Sequence, residues 1–215
     1  MKKNLQTILE SWPKSFIRDD DLTQLLQTTD DARYALVKRA FKSGKLMRLK
    51  KGLYLIVHKI KQILPDEFEL ALLMYQPSMI SLESALSYHG LIPEAVYSTT
   101  CVSPKRAQEF KTPIGIFSYK RVPAKGFYAG VSRISTPTGT ILIASPWRAL
   151  ADFVYTRRKS WKNLAELEMD MRIDAETLIN EDCQTLFILS TSYPSLRVRK
   201  QLTIFLNEVT QKRKE

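Results

Sequence analysis

Apolar residues recur early in the chain at helical spacing. Leu5, Ile8, Leu9 and Trp12 fall at i, i+3, i+4 and i+7, and Pro13 ends that stripe. Leu22, Leu25 and Leu26 repeat the spacing more briefly, behind Asp19-Asp20-Asp21, acids that suit the positive end of a helix dipole. A third helix is bracketed by Thr29 or Asp30 as N-cap and Gly44 just past its end. The pattern then changes. Leu46, Met47 and Leu49 give a short strand, Lys51-Gly52 a turn, and Leu53 to Val57 a second strand. Met47, Leu49, Leu53 and Leu55 are expected to point inward from this hairpin. Three helices followed by a two-stranded hairpin is the order of a winged helix-turn-helix.

Placed on a wheel at about 100° per residue, the third helix divides. Val37, Ala40 and Phe41 cluster on one side, with Tyr34 and Leu36 at the flanks. Lys38, Arg39 and Lys42 point the other way, with Ala35 and Asp31. A DNA-recognition helix needs this division, apolar residues toward its scaffold and long cations toward the groove. The spacing alone equally describes an amphipathic surface helix that binds nothing. The hairpin adds Arg48, Lys50 and Lys51 at its tip, placed for phosphate contact.

His58 to Leu64 reads as a connector, and Pro65-Asp66 opens a second segment. Phe68 to Tyr75 forms a buried helix, Met79-Ile80-Ser81 a short extended piece, and Leu82 to His89 a helix stopped at Gly90. Four β-rich stretches follow: Ala95 to Val102, Ile114 to Val122, Tyr128 to Ser135 and Gly139 to Ala144. Pro146 opens a helix whose stripe is Ala149, Leu150, Phe153 and Val154, and the chain is helical after Trp161. The expected fold is α+β. Residues 1–64 form the winged helix-turn-helix, and residues 65–215 a mixed α/β domain that is helical from about 146.

Charge sharpens this division. Residues 1–64 hold 14 Lys/Arg against 6 Asp/Glu, a balance of +8, and the remaining residues contribute only +3 of the total +11. No acid occurs between Ala32 and Pro65. Such a concentrated positive field attracts polyanions, nucleic acid first. Arg33, Lys38, Arg39, Lys42, Lys45, Arg48, Lys50 and Lys51 are the candidate DNA contacts. Arg33 lies nearer the inner side of its helix, at the end where it still reaches a phosphate. The longest apolar run, Leu70 to Tyr75, is too short for a membrane span, and Met1-Lys2-Lys3 leads into polar residues rather than a secretory core. Two isolated cysteines, Cys101 and Cys183, make no disulfide framework, so a reducing, cytoplasmic setting is expected.

Catalytic signatures are sparse. Neither phosphate-cradling glycine loop nor a G-x-S-x-G elbow occurs among seven glycines, and His58, His89, Cys101 and Cys183 lack paired metal-ligand spacing, so no cofactor or metal is expected. His89 and Cys101 could form a thiol–imidazole pair, or be a helix-end histidine and a buried strand cysteine. Glu109-Phe110-Lys111 is an E-x-K, the carboxylate and lysine of many Mg²⁺ nucleases, with Glu83 or Glu94 as a possible second acid. The alternative for that tripeptide is a solvated loop.

Three stretches resemble one family. Arg39-Ala40 with Gly44-Lys45-Leu46-Met47-Arg48-Leu49-Lys50-Lys51-Gly52-Leu53-Tyr54 is similar to the helix-to-wing pattern R-A-x-x-x-G-x-L-x-R-L-x-R-G-x-Y of the AbiEi-type antitoxins, transcriptional regulators of type IV toxin–antitoxin systems. Ile80-Ser81-Leu82-Glu83-Ser84-Ala85-Leu86-Ser87-Tyr88-His89-Gly90-Leu91-Ile92-Pro93 resembles its second landmark. Ile143-Ala144-Ser145-Pro146-Trp147-Arg148-Ala149-Leu150-Ala151-Asp152 resembles the third, with Trp147-Arg148 replacing a commoner E-K pair. The resemblance implies a non-catalytic repressor that binds inverted repeats in duplex DNA upstream of its own operon. It also implies a C-terminal antitoxin domain opposing, directly or indirectly, a nucleotidyltransferase-like toxin, often in defence against phage. The landmarks locate the fold: Gly52 and Gly90 fit positive-φ turns, Tyr54 packs a strand of the hairpin, and Ser145 caps the helix opened by Pro146. A Mg²⁺-dependent nuclease and a non-catalytic protein- or RNA-interaction module are the alternatives from other classes.

Overall fold

A computed structural model of the chain describes residues 4–62, 65–93 and 97–214. Glu94, Ala95 and the boundary residue Leu64 therefore lie outside the described residues. Within them the chain is a mixed α+β protein with eleven helices and two sheets. No helix there is long and apolar enough to cross a membrane.

The first unit runs α1 (Leu5–Ser11), β1 (Phe16–Arg18), α2 (Asp19–Leu26), α3 (Asp30–Lys42), β2 (Leu46–Lys50), β3 (Leu53–Ile56) and a single turn, α4 (Val57–Ile60). β1 adds a strand that the hydrophobic pattern did not mark, and Val57 begins α4 rather than ending β3. The three strands form an antiparallel sheet in the order β1-β3-β2. Leu5, Ile8, Leu9, Leu22, Leu26, Val37 and Ala40 from the helices bury against Ile17, Leu46, Tyr54 and Ile56 from this sheet. Phe41 meets Tyr54 edge-on, with ring centroids 5.3 Å apart.

The hairpin departs from expectation in which way its residues face. Leu46, Tyr54 and Ile56 pack into the three helices, whereas Leu49, Leu53 and Leu55 bury in the larger core of the second unit, with Met47 packed against it. Middle strand β3 has both faces covered, and all four of its residues are buried. A register shift between Arg48 and Lys50 leaves Leu49 as the extra residue of a β-bulge.

The larger core surrounds a six-stranded sheet in the order β6-β7-β5-β4-β9-β8. Its strands are β4 (Met79–Ile80), β5 (Ser98–Ser103), β6 (Gln108–Thr112), β7 (Gly115–Arg121), β8 (Val131–Ser135) and β9 (Thr140–Ala144). β5–β7 and β4–β9 pair parallel, and the other neighbours antiparallel. Helix α5 (Glu67–Met74) covers one face, where the Thr99 hydroxyl donates to Glu67 and the Tyr119 hydroxyl donates to the Ala71 carbonyl at 2.7 Å. Helix α6 (Leu82–Tyr88) covers the edge of β5 that two-residue β4 leaves open. There Thr100 N donates to Ser84 Oγ at 2.8 Å, and Ser84 N to Thr100 Oγ1 at 2.9 Å.

Helix α7 (Pro146–Arg157) follows β9, with the Ser145 hydroxyl accepting from Arg148 N as its N-cap. Every residue from Pro146 to Val154 is buried, so α7 is an interior helix and not the amphipathic one that its apolar stripe implied. Four further helices, α8 (Leu164–Met171), α9 (Ala175–Asn180), α10 (Cys183–Ser192) and α11 (Leu196–Lys212), complete the described chain.

Three hairpin leucines bridge the two units, and this has a measurable consequence. A fragment of residues 65–215 would open to water the surface that Leu49, Leu53 and Leu55 cover. Leu53→Ala in the full chain is expected to cost about 2–5 kcal/mol, and the fragment should show a lower urea midpoint and bind a hydrophobic dye. A fragment as stable and dye-free as the full chain would mean that these leucines contribute nothing between the units.

Candidate nucleic-acid interface

Helix α3 is held by both ends. Thr29 Oγ1 accepts from Ala32 N at 3.4 Å, Asp30 and Asp31 occupy the first turn, and Gly44 leaves the last turn at φ +67°. Burying Val37 and Ala40 turns Lys38, Arg39 and Lys42 outward, all three exposed. Tyr34, read from the wheel as an apolar flank, is 70% exposed.

The hairpin approaches α3 through α2. Asp19 N donates to the Gly52 carbonyl at 3.0 Å, and Gly52 turns at φ +77°, a conformation costly for a residue with a Cβ. Between α3 and the hairpin lies an open cleft of about 850 Å³. Tyr34, Val37, Lys38 and Phe41 form one wall, and Arg48, Lys50, Lys51 and Gly52 the other. Arg18, Arg33, Asp19 and Asp20 also line it, as do Leu73 and Gln76 from the second unit. Six cations thus face two acids. One of those acids, Asp19, is already engaged by Arg33.

The eight sequence-derived candidates separate here. Lys38, Arg48, Lys50, Lys51 and Arg33 line the cleft. Arg33 is committed internally: its guanidinium meets Asp30 at 2.7 Å and Asp19 at 3.4 Å, and its side chain is 13% exposed. The hydrogen bond to Asp30 raises its pKa further. Arg33 therefore ties the start of α3 to the start of α2. Arg39 and Lys42 lie outside the cleft on the exposed face of α3, with Arg39 Nε donating to the Ala35 carbonyl at 3.3 Å. Lys45 turns toward α1, its Nζ donating to Gln6 Oε1 at 2.6 Å.

No protein-family model matches the chain, and no curated protein does.

Two cations escaped the sequence reading. Arg18 sits on β1, the strand that the pattern missed. Lys105 follows β5, more than fifty residues from the hairpin, yet its charge acts on Lys50. Burial lowers the Lys50 ammonium, and Arg18 and Lys105 lower it further. Nothing in local sequence pairs these residues.

The residues of the catalytic alternatives take different places in the fold. Cys101 is fully buried in β5, where burial pushes its thiol far up, while His89 Nε2 lies 2.9 Å from the Ala144 carbonyl at the end of α6. Glu109 and Lys111 stand on edge strand β6, not in a loop, and face each other at 3.9 Å, both exposed. Glu83 is held by Arg157 at 2.7 Å. Among the described residues no three His, Cys, Asp or Glu side chains gather as metal ligands.

Proposed function

We propose that residues 1–64 are a winged helix-turn-helix and that the chain is a sequence-specific DNA-binding repressor of the AbiEi-type antitoxin kind. The observation that carries this is the cleft between α3 and the hairpin, whose two walls present Lys38, Arg48 and Lys51 outward from a scaffold of three helices, with half-buried Lys50 also lining it. The order α1-β1-α2-α3-β2-β3 supports the same reading, with α3 as the helix offered to a major groove and the hairpin as the wing.

The antitoxin half rests on the three sequence landmarks. What supports it is that the second and third converge: Ser81 donates to Asp152 at 2.8 Å, and Asp152 accepts from Arg148 at 3.0 Å. The toxin in this reading is a nucleotidyltransferase-like protein encoded beside the chain. Its growth arrest should be relieved when this protein is co-expressed. Relief would have to persist in a Lys38→Ala, Lys42→Ala variant if protection belongs to residues 65–215.

The DNA half is tested by electrophoretic shift of the upstream region at several salt concentrations. With about six cations on phosphates, log K should fall against log[salt] with a slope of roughly −5. A slope near zero would remove the electrostatic basis of the assignment.

A further inference from the structure

Arg18, Lys50 and Lys105 come from β1, β2 and the turn after β5, and the fold brings their charges together. In the first unit's sheet, Arg18 and Lys50 are both in register with Leu53, one from each side. Residues in register across a sheet share a face, and Leu53 faces the second unit's core. Lys105 approaches from that unit and is held there. Its backbone N–H donates to Ser103 Oγ at 3.2 Å, and its Nζ lies 5.8 Å from the centre of the Tyr75 ring. Tyr75 in turn donates its hydroxyl to the Arg106 carbonyl at 2.9 Å, fixing the turn. Leu73 and Gln76, on either side of Tyr75 in the chain, line the same cleft as Arg18 and Lys50, which puts Lys105 beside them. Burial is the main cause that lowers the Lys50 ammonium, and Arg18 and Lys105 add to it.

Among the described residues, none of the three has a carboxylate within ion-pair distance, although Arg33 close by has two. Of the two acids lining the cleft, Asp19 is engaged by Arg33, which leaves Asp20 against a surplus of cations. Like charges in surplus repel, and the repulsion is relieved when an anion enters. Gln76, from the segment after α5, lines both the DNA cleft and a second groove containing Tyr128 and Arg133. With Leu73, Gln76 brings the second unit to the wall of the cleft, and Lys105 stands beside that wall.

We propose that Arg18, Lys50 and Lys105 form a seat for one backbone phosphate of the duplex held by α3, so that DNA contact extends onto the second unit. This rests on the DNA-binding reading above and adds a site to it. The chemistry needed is a phosphodiester oxygen pair, which a free phosphate ion also offers. A phosphate contact fixes the register of the duplex and carries no base information.

The test uses the full chain and Lys105, which is exposed and outside the first unit. Lys105→Ala should weaken operator and scrambled duplexes alike, by about 5–10-fold near 0.1 M salt, and make the salt slope shallower by about 1. Lys105→Arg should restore both. Duplex should protect Lys50 and Lys105 from acetylation, read by mass spectrometry, more strongly than inorganic phosphate at matched ionic strength. If Lys38→Ala weakens DNA binding while Lys105→Ala leaves affinity and slope unchanged, the seat is not part of the interface and the DNA reading stands. Protection by inorganic phosphate alone, with duplex affinity unchanged in Lys105→Ala, overturns the backbone assignment in favour of a free anion. A chain that binds neither duplex overturns both readings.

Discussion

Replacing Asp152 by alanine is expected to cost about 3–5 kcal/mol of folding free energy, because it strands a buried guanidinium. Asp152 is fully buried and Arg148, one helical turn earlier, is 2% exposed. The carboxylate accepts from Arg148 Nε at 3.0 Å, from the Ser81 hydroxyl at 2.8 Å and from the Tyr193 hydroxyl at 2.9 Å. Arg148 is also fixed by the Gly126 and Ala129 carbonyls at 3.0 and 2.7 Å, so it cannot swing to water when its partner is lost. It cannot lose its proton either. Asp152→Asn keeps the shape and should cost less. A urea midpoint that falls at constant m-value would report the loss, and an alanine variant within about 1 kcal/mol of the parent would show that the guanidinium finds another partner.

The same carboxyl gives a pH signature. Burial raises its pKa above the ordinary value, against the opposing pull of Arg148, Ser81 and Tyr193. Just above the ordinary carboxylate pKa, the folded chain then holds a proton that the unfolded chain has released. Stability from this group is therefore present below that range and falls as pH rises through the folded pKa. Asp170, Asp174 and Asp182, whose pKa values are lowered mainly by side-chain hydrogen bonds, act with the opposite sign at more acid pH. Subtracting the pH profile of Asp152→Asn from that of the parent isolates the Asp152 component.

How much of this was legible depends on whether the cause was local. Helix α3 was, because its cap, stripe and terminal glycine all lie within sixteen residues. Strand β1 was not: Phe16-Ile17-Arg18 is too short to show alternation, and it exists by pairing with Leu53 to Leu55. The two-sided burial of β3 was written in the unbroken run Leu53-Tyr54-Leu55-Ile56, which alternation on one face does not produce. In α7, Arg148 and Asp152 have the i,i+4 spacing of an exposed ion pair. Only the packing of α7 among α6, α10, α11 and β9 makes that pair interior. At the candidate site, Lys38, Arg48 and Lys51 were legible as outward cations, whereas Lys50 is half-buried on the face turned toward the second unit. The internal ion pairs of Arg33 and the approach of Lys105 depend on contacts between elements, which spacing does not encode.

The largest effects on binding should fall on the two walls of the cleft, and differently on each. Lys38 lies on the exposed face of α3 within the cleft, whereas Lys50 and Lys51 lie at the end of a hairpin too short to send several side chains deep into a groove. Under the proposed DNA-binding reading, Lys38→Ala should cost about 1–3 kcal/mol on the operator if it makes a bidentate base contact, and much less on random duplex. Lys50→Ala with Lys51→Ala should weaken operator and random DNA by similar factors, with a salt slope shallower by about 2. The fold should survive both changes, since Leu49, Leu53 and Leu55 still anchor the hairpin and Val37 and Ala40 still anchor α3. Anisotropy titrations on operator and scrambled duplexes at several salt concentrations separate the two. If the Lys50, Lys51 pair loses only operator binding, the hairpin reads sequence or groove shape. If Lys38→Ala loses both duplexes equally, that lysine is a phosphate contact, and base reading passes to Tyr34, the other exposed α3 residue of the cleft, or to Arg39 and Lys42 beyond it.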